Sequence, residues 1–169
     1  MTGFERLWNG WRASYVQSVG SAEVPEGEGS VFTRILASGL PDEQTHIVHR
    51  GEHCFAILNA YPYGTGHTLI LPYRELAELE QLDGAETTEL WATVTDAVRA
   101  VKLAYSPDGV NVGLNLGRPA GGSVSEHLHV HVVPRWTGDA NFMTAVANTR
   151  TLPEPLDETA AKLRAAWPT

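Results

Sequence analysis

Residues 126–134 read EHLHVHVVP, a run in which three histidines alternate with aliphatic residues before a proline. Side chains of a β-strand point alternately to its two faces. The alternation therefore predicts a strand that presents His127, His129 and His131 on one face. The aliphatic residues between the histidines lie on the opposite face, where they can pack into a core. Pro134 is expected to end the strand because it lacks a backbone N–H.

Three imidazoles on one strand face suit two kinds of chemistry. Neutral imidazole is a ligand of zinc, copper, iron and nickel. It is also a nucleophile when its other nitrogen donates a hydrogen bond that fixes the tautomer. Residues two apart on a strand are separated by about 6.6–6.8 Å, so the three histidines cannot comfortably bind one ion together. The spacing by itself leaves a metal site, phosphate chemistry and a merely polar sheet face open.

Glycines and serines precede the histidines. The turn at Gly121 and Gly122 can bring backbone N–H groups close to a phosphate. Ser123 and Ser125 have the same parity as the histidines. They share the histidine face if the strand extends back to them.

The rest of the chain predicts an α+β fold. Asp83 and Glu86 have the spacing of a capping box, and they precede a long helix whose apolar residues recur on one face as far as Tyr105. Shorter helices are expected at residues 75–82 and 156–167. Four further segments have the composition of strands: residues 45–50, 54–59, 67–71 and 110–114. Because the connections are short, we expect a five-stranded antiparallel sheet with one main helix and shorter terminal helices.

Composition narrows the class of protein. The 169 residues fit one domain, and the net charge of −8 argues against binding long nucleic acid or an anionic membrane. The lone cysteine, Cys54, excludes an internal disulfide framework and is expected to be a buried apolar residue. The sequence has no apolar run of about 18 residues and no apolar signal-peptide core. These features predict a cytoplasmic protein.

Two motifs resemble one known family. Residues 127–133 match in full the signature His-φ-His-φ-His-φ-φ, where φ is hydrophobic. Residues 55–67, FAILNAYPYGTGH, look like the strand, asparagine, loop and Gly-His pair of the same family. On these residues the chain resembles the histidine triad (HIT) superfamily of nucleotide hydrolases and transferases. The run EHLHVHVVPRW, with GDANF at residues 138–142, is most similar to the actinobacterial diadenosine tetraphosphate phosphorylase branch.

The resemblance implies an activity. It is nucleotidyl transfer from a dinucleoside polyphosphate through a covalent nucleotidyl-histidine, with inorganic phosphate converting diadenosine tetraphosphate to ADP and ATP. The alternative is a hydrolase of dinucleoside polyphosphates or nucleoside phosphoramidates. A metal-binding protein and a non-catalytic nucleotide-binding protein are weaker interpretations. The resemblance also implies a homodimer that needs no cofactor, with Mg²⁺ entering only as the counter-ion of the nucleotide.

The resemblance also implies residue roles. His129 matches the histidine that attacks the α-phosphate, His131 matches one that contacts phosphate, and His127 with His67 supports the network. The implied substrate-binding residues are Asn59 at the ribose, Asn115 beside sugar and phosphate, Ile57 and Leu58 at the base, Gly122 in the glycine turn, and Ser123 or Ser125 near the bridging oxygens.

The chain departs from many bacterial relatives at one place. Those relatives carry Cys-x-x-Cys as half of a structural zinc site, whereas Ser30 and Thr33 stand at the matching positions here. Because hydroxyl groups are poor zinc ligands, we predict that the zinc site is lost and that the protein holds no metal. The resemblance divides the chain into an N-terminal arm and linker (1–29), a catalytic domain (30–140) and a C-terminal extension (141–169). The extension would carry a helix packed on the same domain or on a partner subunit.

Overall fold

The computed structural model of the protein describes residues 27–139 and 154–169. Residues 1–26 of the N-terminal arm and most of the GDANF motif lie outside the described residues. The division of the chain into an arm, a catalytic domain and an extension stays a prediction.

Five strands form one antiparallel sheet, as the sequence predicted. The strands are β1 (Ile47–Arg50), β2 (Cys54–Leu58), β3 (Thr68–Pro72), β4 (Gly109–Leu114) and β5 (Val130–Arg135). Their spatial order is β1-β2-β3-β5-β4, and every neighbouring pair is antiparallel. The last strand in the chain therefore lies inside the sheet, between β3 and β4.

Strand β5 begins later and ends later than the sequence predicted. It starts at Val130 rather than His127, because the preceding segment bonds to a loop: the Leu128 N–H donates to the Leu76 carbonyl at 2.6 Å. It also continues through Pro134. The pairing of β5 with β3 ends at Val132, so the proline lies where β5 has β4 as its only partner strand among the described residues. A missing N–H is tolerated at such a place.

The main helix matches the prediction, whereas the shorter ones do so only in part. Helix α3 (Gly84–Tyr105) begins at the capping box of Asp83 and Glu86, and α4 (Leu156–Ala166) forms near the C-terminus. The prediction of a helix at residues 75–82 is wrong, because only a 3₁₀ turn at Leu79–Gln81 forms there.

Two short helices were not predicted. They are α1 (Val31–Ala37) and the single turn α2 (Asp42–Thr45). The sequence of α1, VFTRILA, is rich in β-branched and aromatic residues, which favour strands. It becomes helical because the Ser30 side chain caps its start and Phe32 packs on the sheet.

Helices cover the two faces of the sheet, and this arrangement positions the histidines. Helices α3 and α4 pack on one face, whose core includes Ile70, Val130 and Val132. Helix α1 packs on the other face, against Ile57 and Leu69 among others. Because neighbouring residues of a strand alternate between faces, the His131 side chain lies on the α1 face. None of the helices in the described ranges combines the length and apolar character needed to cross a membrane.

Two histidines near the β1 edge of the sheet have structural contacts. His46 Nε2 lies 2.7 Å from Asp157 Oδ1, and the His49 ring stacks on Trp167 with 4.9 Å between centroids. These contacts hold α4 against the β1 edge of the sheet. Cys54 is fully buried, and this burial raises the pKa of its thiol to about 12, so it acts as a small apolar residue.

Candidate functional site

Four histidines are gathered on the α1 face of the sheet. His131 belongs to β5, His67 lies just before β3, and His127 and His129 lie in the segment that leads into β5. Each is at most 9% exposed. The His131 ring centroid is 4.9 Å from that of His129 and 5.1 Å from that of His67. The structure therefore brings the predicted catalytic histidines into one cluster.

The tautomer of His129 follows from its hydrogen bond. Its Nδ1 lies 2.8 Å from the His127 carbonyl oxygen. A carbonyl only accepts, so Nδ1 carries the hydrogen and the neutral ring has a lone pair on Nε2. Burial lowers the pKa of His129, which keeps the ring neutral at pH 7. His129 thus has the form that a nitrogen nucleophile requires.

His127 has both ring nitrogens bound to the protein. Its Nε2–H donates to the Pro72 carbonyl at 2.9 Å. The other nitrogen, Nδ1, then has no hydrogen and accepts from the Ser30 hydroxyl at 2.7 Å. Because neither nitrogen is left for an ion, the three motif histidines do not form one metal site. In the part of the chain that the structure describes, no three side chains of His, Cys, Asp or Glu are grouped to hold a metal ion.

A chain of hydrogen bonds also fixes the tautomers of His67 and His131. The Tyr63 backbone N–H donates to His67 Nδ1 at 2.9 Å, so the hydrogen of His67 is on Nε2. That Nε2–H donates to His131 Nδ1 at 2.9 Å, which leaves the hydrogen of His131 on Nε2. His129 therefore offers a lone pair where the adjacent His131 offers an N–H.

This pairing suits attack on a phosphate. The lone pair of His129 can attack phosphorus while the N–H of His131 donates to an oxygen on which charge develops. Neither role needs a change of protonation before the reaction starts.

The two predicted asparagines lie beside these histidines. Asn59 Nδ2 donates to His67 Nδ1 at 3.4 Å, and the Asn59 side-chain oxygen accepts from the Tyr61 N–H at 3.0 Å. Asn115 Nδ2 lies 3.4 Å from His131 Nε2; this is a contact and not a hydrogen bond, because both nitrogens carry hydrogen in the tautomer assigned above. These contacts place both asparagines against the histidine cluster.

Tyr63 is a site residue that sequence reasoning missed. Its ring centroid is 4.5 Å from that of His67 and 5.7 Å from that of His131. The signal that the sequence offered was the place of Tyr63 in the loop YPYGTG, between the predicted site residues Asn59 and His67.

The glycine turn and the serines lie on the loop before β5. Gly122 is buried, and a Cβ on it would approach the Gly117 carbonyl oxygen to 3.2 Å, so a side chain here would require the loop backbone to shift by a few tenths of an ångström. Ser125 Oγ accepts from Arg118 Nε at 3.4 Å, whereas Ser123 is exposed. Because β5 begins at Val130, strand parity does not place either serine on the histidine face. Their contact with a substrate stays a prediction.

The two residues expected at the base separate onto opposite faces. Ile57 lies in the cluster on the α1 face, and it pairs with Leu69, whose other neighbour across the sheet is His131. Leu58, the next residue of β2, lies in the cluster under α3. The alternation of the strand thus removes Leu58 from the site and leaves Ile57 in it.

Ser30 and Thr33 have contacts that the sequence did not suggest. Ser30 binds His127, and the Thr33 hydroxyl donates to Glu75 Oε2 at 2.5 Å. Phe32, between them, lies edge-on to His127 with 5.6 Å between centroids. The start of α1 is thereby joined to the histidine cluster. That a zinc site was lost here stays a prediction.

Comparison with known proteins agrees with this geometry. A family model described as the HIT domain matches residues 41–138. The protein called AP-4-A phosphorylase in Mycobacterium tuberculosis strain H37Rv is 44% identical over 166 residues, which cover 96% of this chain and 84% of that protein.

Solved structures that resemble this chain include histidine triad proteins. A HIT-like protein from Bartonella henselae matches with a TM-score of 0.68 and 28% identity, covering 83% of this chain and 97% of that one. A Zn-bound histidine triad family protein from Mycobacterium smegmatis matches with a TM-score of 0.66 and 29% identity, covering 82% and 92%.

Proposed function

The chain belongs to the HIT family, and on that basis we propose that it is a nucleotidyltransferase that cleaves dinucleoside polyphosphates through His129. The preferred substrate is diadenosine tetraphosphate, and the acceptor is inorganic phosphate. The observation that carries the proposal is the pair of tautomers at His129 and His131, one with a free lone pair on Nε2 and the other with a hydrogen there.

The reaction proceeds in two displacements at the same phosphorus. His129 Nε2 forms a bond to the α-phosphorus, and the bond from that phosphorus to the bridging oxygen breaks and releases ATP. A phosphate oxygen then attacks the adenylyl-histidine, the N–P bond breaks, and ADP leaves. The His131 N–H donates to the phosphate oxygens during both displacements, when their charge increases. A covalent intermediate divides one difficult transfer into two easier ones.

The neighbouring residues are proposed to bind the nucleotide. Asn59 holds the ribose, Asn115 contacts sugar and phosphate, and Ile57 lines the base pocket. Gly122, with Ser123 or Ser125, lies along the bridging and leaving-group oxygens. The support is the position of both asparagines beside the histidines and of Ile57 on the same face of the sheet.

The choice of phosphate over water as the acceptor rests on the comparison with the mycobacterial AP-4-A phosphorylase, which extends over 96% of this chain. The histidine geometry serves either acceptor equally, because it acts on the phosphorus and not on the second nucleophile. Hydrolysis of dinucleoside polyphosphates is therefore the second candidate.

We also propose that the protein is a cytoplasmic homodimer. Among the described residues, β4 has a partner strand on one side only. Val112, on this strand, is 44% exposed, and the nearby Leu116 is 39% exposed. An edge strand with exposed apolar residues can pair with a second copy. Light scattering after size exclusion should give twice the 18.4 kDa of one chain, and a Val112→Lys variant should reduce that mass.

A chromatographic product assay tests the proposed function. Purified protein is incubated with diadenosine tetraphosphate, with and without inorganic phosphate, and each reaction is repeated with Mg²⁺ and with EDTA. With substrate in large excess over protein, we expect ADP and ATP to accumulate in equal amounts, and over many turnovers only where phosphate is present. AMP and ATP formed without phosphate would indicate the hydrolase, and the absence of product in every reaction would overturn both candidates.

A further inference from the structure

We propose that Glu75, acting through Ser30, is a positioning residue that fixes His127 and, through the His127 carbonyl, holds His129 ready to attack. The inference rests on the proposed role of His129 as the nucleophile. Three hydrogen bonds carry it, and they connect an exposed carboxylate to a buried imidazole.

The first step is the contact of Glu75 with the start of α1. One carboxylate oxygen, Oε2, accepts from the Ser30 N–H at 2.8 Å and from the Thr33 hydroxyl at 2.5 Å. These two hydrogen bonds lower the pKa of Glu75, so the group is ionised at neutral pH. Gly29 has a φ of +85°, and a Cβ there would lie 2.7 Å from the same oxygen. Only glycine lets the chain approach the carboxylate so closely.

The second step leads from Ser30 to His127. The Ser30 hydroxyl accepts from the Thr33 N–H as the cap of α1. Its one hydrogen is donated to His127 Nδ1 at 2.7 Å, in a buried contact between residues 97 positions apart. By holding the Ser30 amide and the Thr33 hydroxyl, Glu75 keeps the Ser30 hydroxyl in the place from which it reaches His127.

The third step leads from His127 to the nucleophile. With Ser30 on one nitrogen and the Pro72 carbonyl on the other, the His127 ring cannot turn without losing a buried hydrogen bond. The carbonyl of the same residue accepts from His129 Nδ1 and thereby keeps the lone pair of His129 on Nε2. A shift of His127 would release that carbonyl and let the second tautomer of His129 form, which has no lone pair on Nε2.

Variants of Ser30 and Glu75 test this series of hydrogen bonds with two readouts. The first is the ¹⁵N signature of the histidine tautomers in the unliganded protein, and the second is kcat and KM for diadenosine tetraphosphate with phosphate. Ser30→Ala should disturb the ring signals of His127 and His129 and lower kcat by about 10- to 100-fold, because misplacement of a reacting group acts on the rate. KM should change little, since the Ser30 hydroxyl is already bonded to His127 and Thr33.

Conservative replacements supply the matched controls. Ser30→Thr keeps a hydroxyl that can cap and donate, so it should retain most of the kcat. Glu75→Ala should resemble Ser30→Ala, whereas Glu75→Gln keeps an oxygen that can accept both bonds and should be mild. Asp83→Ala removes the cap of α3 and none of the hydrogen bonds that join Glu75 to His129, so it should leave both readouts unchanged. Because Glu75 is exposed, we expect its variants to fold, and they provide the test if Ser30→Ala does not fold.

Two results would overturn the inference. One is normal kcat and normal histidine signals in Glu75→Ala. The other is an equal loss of kcat in Asp83→Ala, which would mean that general destabilisation is the cause. The spectroscopic readout needs no turnover. If the wild-type protein does not cleave the substrate and Glu75→Ala still alters the His129 signals, the result supports the positioning role of Glu75 and contradicts the proposed function.

Discussion

At the scale of single residues, His129 is oriented by a backbone carbonyl rather than by a carboxylate. In a Ser-His-Asp triad, the acidic partner stabilises the protonated imidazole and so favours a base. A neutral carbonyl fixes the tautomer but has no charge to stabilise the protonated ring. Burial lowers the pKa of His129 by more than the hydrogen bond to this carbonyl raises it, so the pKa is lowered overall. The surroundings of His129 therefore favour a neutral nucleophile over a proton acceptor.

The lowered pKa of His129 predicts the pH dependence of the first displacement. The neutral ring is the reactive form, and it persists below the ordinary pKa of 6.5. Release of ATP in a single turnover, measured without phosphate because phosphate itself titrates near neutral pH, should be constant around pH 7. It should decline on the acid side with a midpoint below 6.5. A His46→Ala variant should give the same profile, and a midpoint above 6.5 would contradict the assignment.

Sequence reasoning identified the histidines and asparagines but not what orients them. The alternation of the motif and the Asn and Gly-His positions are local patterns, so they can be read from the chain. The tautomers depend on Ser30 and Tyr63, and the Ser30 contact joins residues 97 positions apart. No local pattern places a serine against a histidine at that separation.

At the scale of elements, α3 was predictable because its signals are local. Its capping box joins two residues three positions apart, and both reciprocal bonds are present. The start of strand β5 was predicted three residues too early, because the Leu128 N–H donates to the Leu76 carbonyl of a loop and not to a neighbouring strand. Helix α1 was missed because its contacts with the sheet outweigh the strand preference of its side chains.

The cap of α3 gives a prediction about stability. Asp83→Ala removes the acceptor for the Glu86 N–H and should lower the free energy of unfolding in urea by about 1 kcal/mol. Product formation should be unchanged, because this cap hydrogen bond is not one of those that orient His129. Asp96→Ala, which removes an exposed ion pair with Arg99 on the same helix, should cost less than half as much, at roughly 0.3–0.5 kcal/mol. Equal effects from the two variants would mean that the cap contributes nothing beyond surface charge.

At the scale of the whole molecule, the order of the strands creates the site. Because β5 inserts between β3 and β4, His131 lies against His67, which is 64 positions earlier in the chain. The sequence predicted five strands and their direction but not their neighbours. Strand order depends on which faces the helices cover, and that emerges only when the whole sheet is packed.

Three histidines of the folded protein make its stability depend on pH. Burial lowers the pKa of His49, His127 and His129 below 6.5. The unfolded chain therefore binds more protons below that pH, and the free energy of unfolding falls as the pH falls from 7 to 5. The pKa of Glu86 is lowered to about 2, mainly by its hydrogen bond to Arg74. The contribution of Glu86 to the free energy of unfolding is therefore lost only below about pH 4.5.

Thermal unfolding at a series of pH values checks this dependence. Tm should decline between pH 7 and 5, before the carboxylates titrate. A Tm that stays constant over this range would contradict the neutral, buried state of the histidines.

The most direct test of the central claim is to trap the covalent intermediate. The protein is mixed with diadenosine tetraphosphate in phosphate-free buffer, quenched within a turnover, digested and examined by mass spectrometry. We predict one AMP group on the peptide that contains His129, release of ATP in equal amount, and conversion of the adduct to ADP when phosphate is added. His129→Ala should form no adduct and lose about 10³-fold or more of its activity, with its circular dichroism unchanged. Turnover without an adduct, or full activity in His129→Ala, would contradict the account.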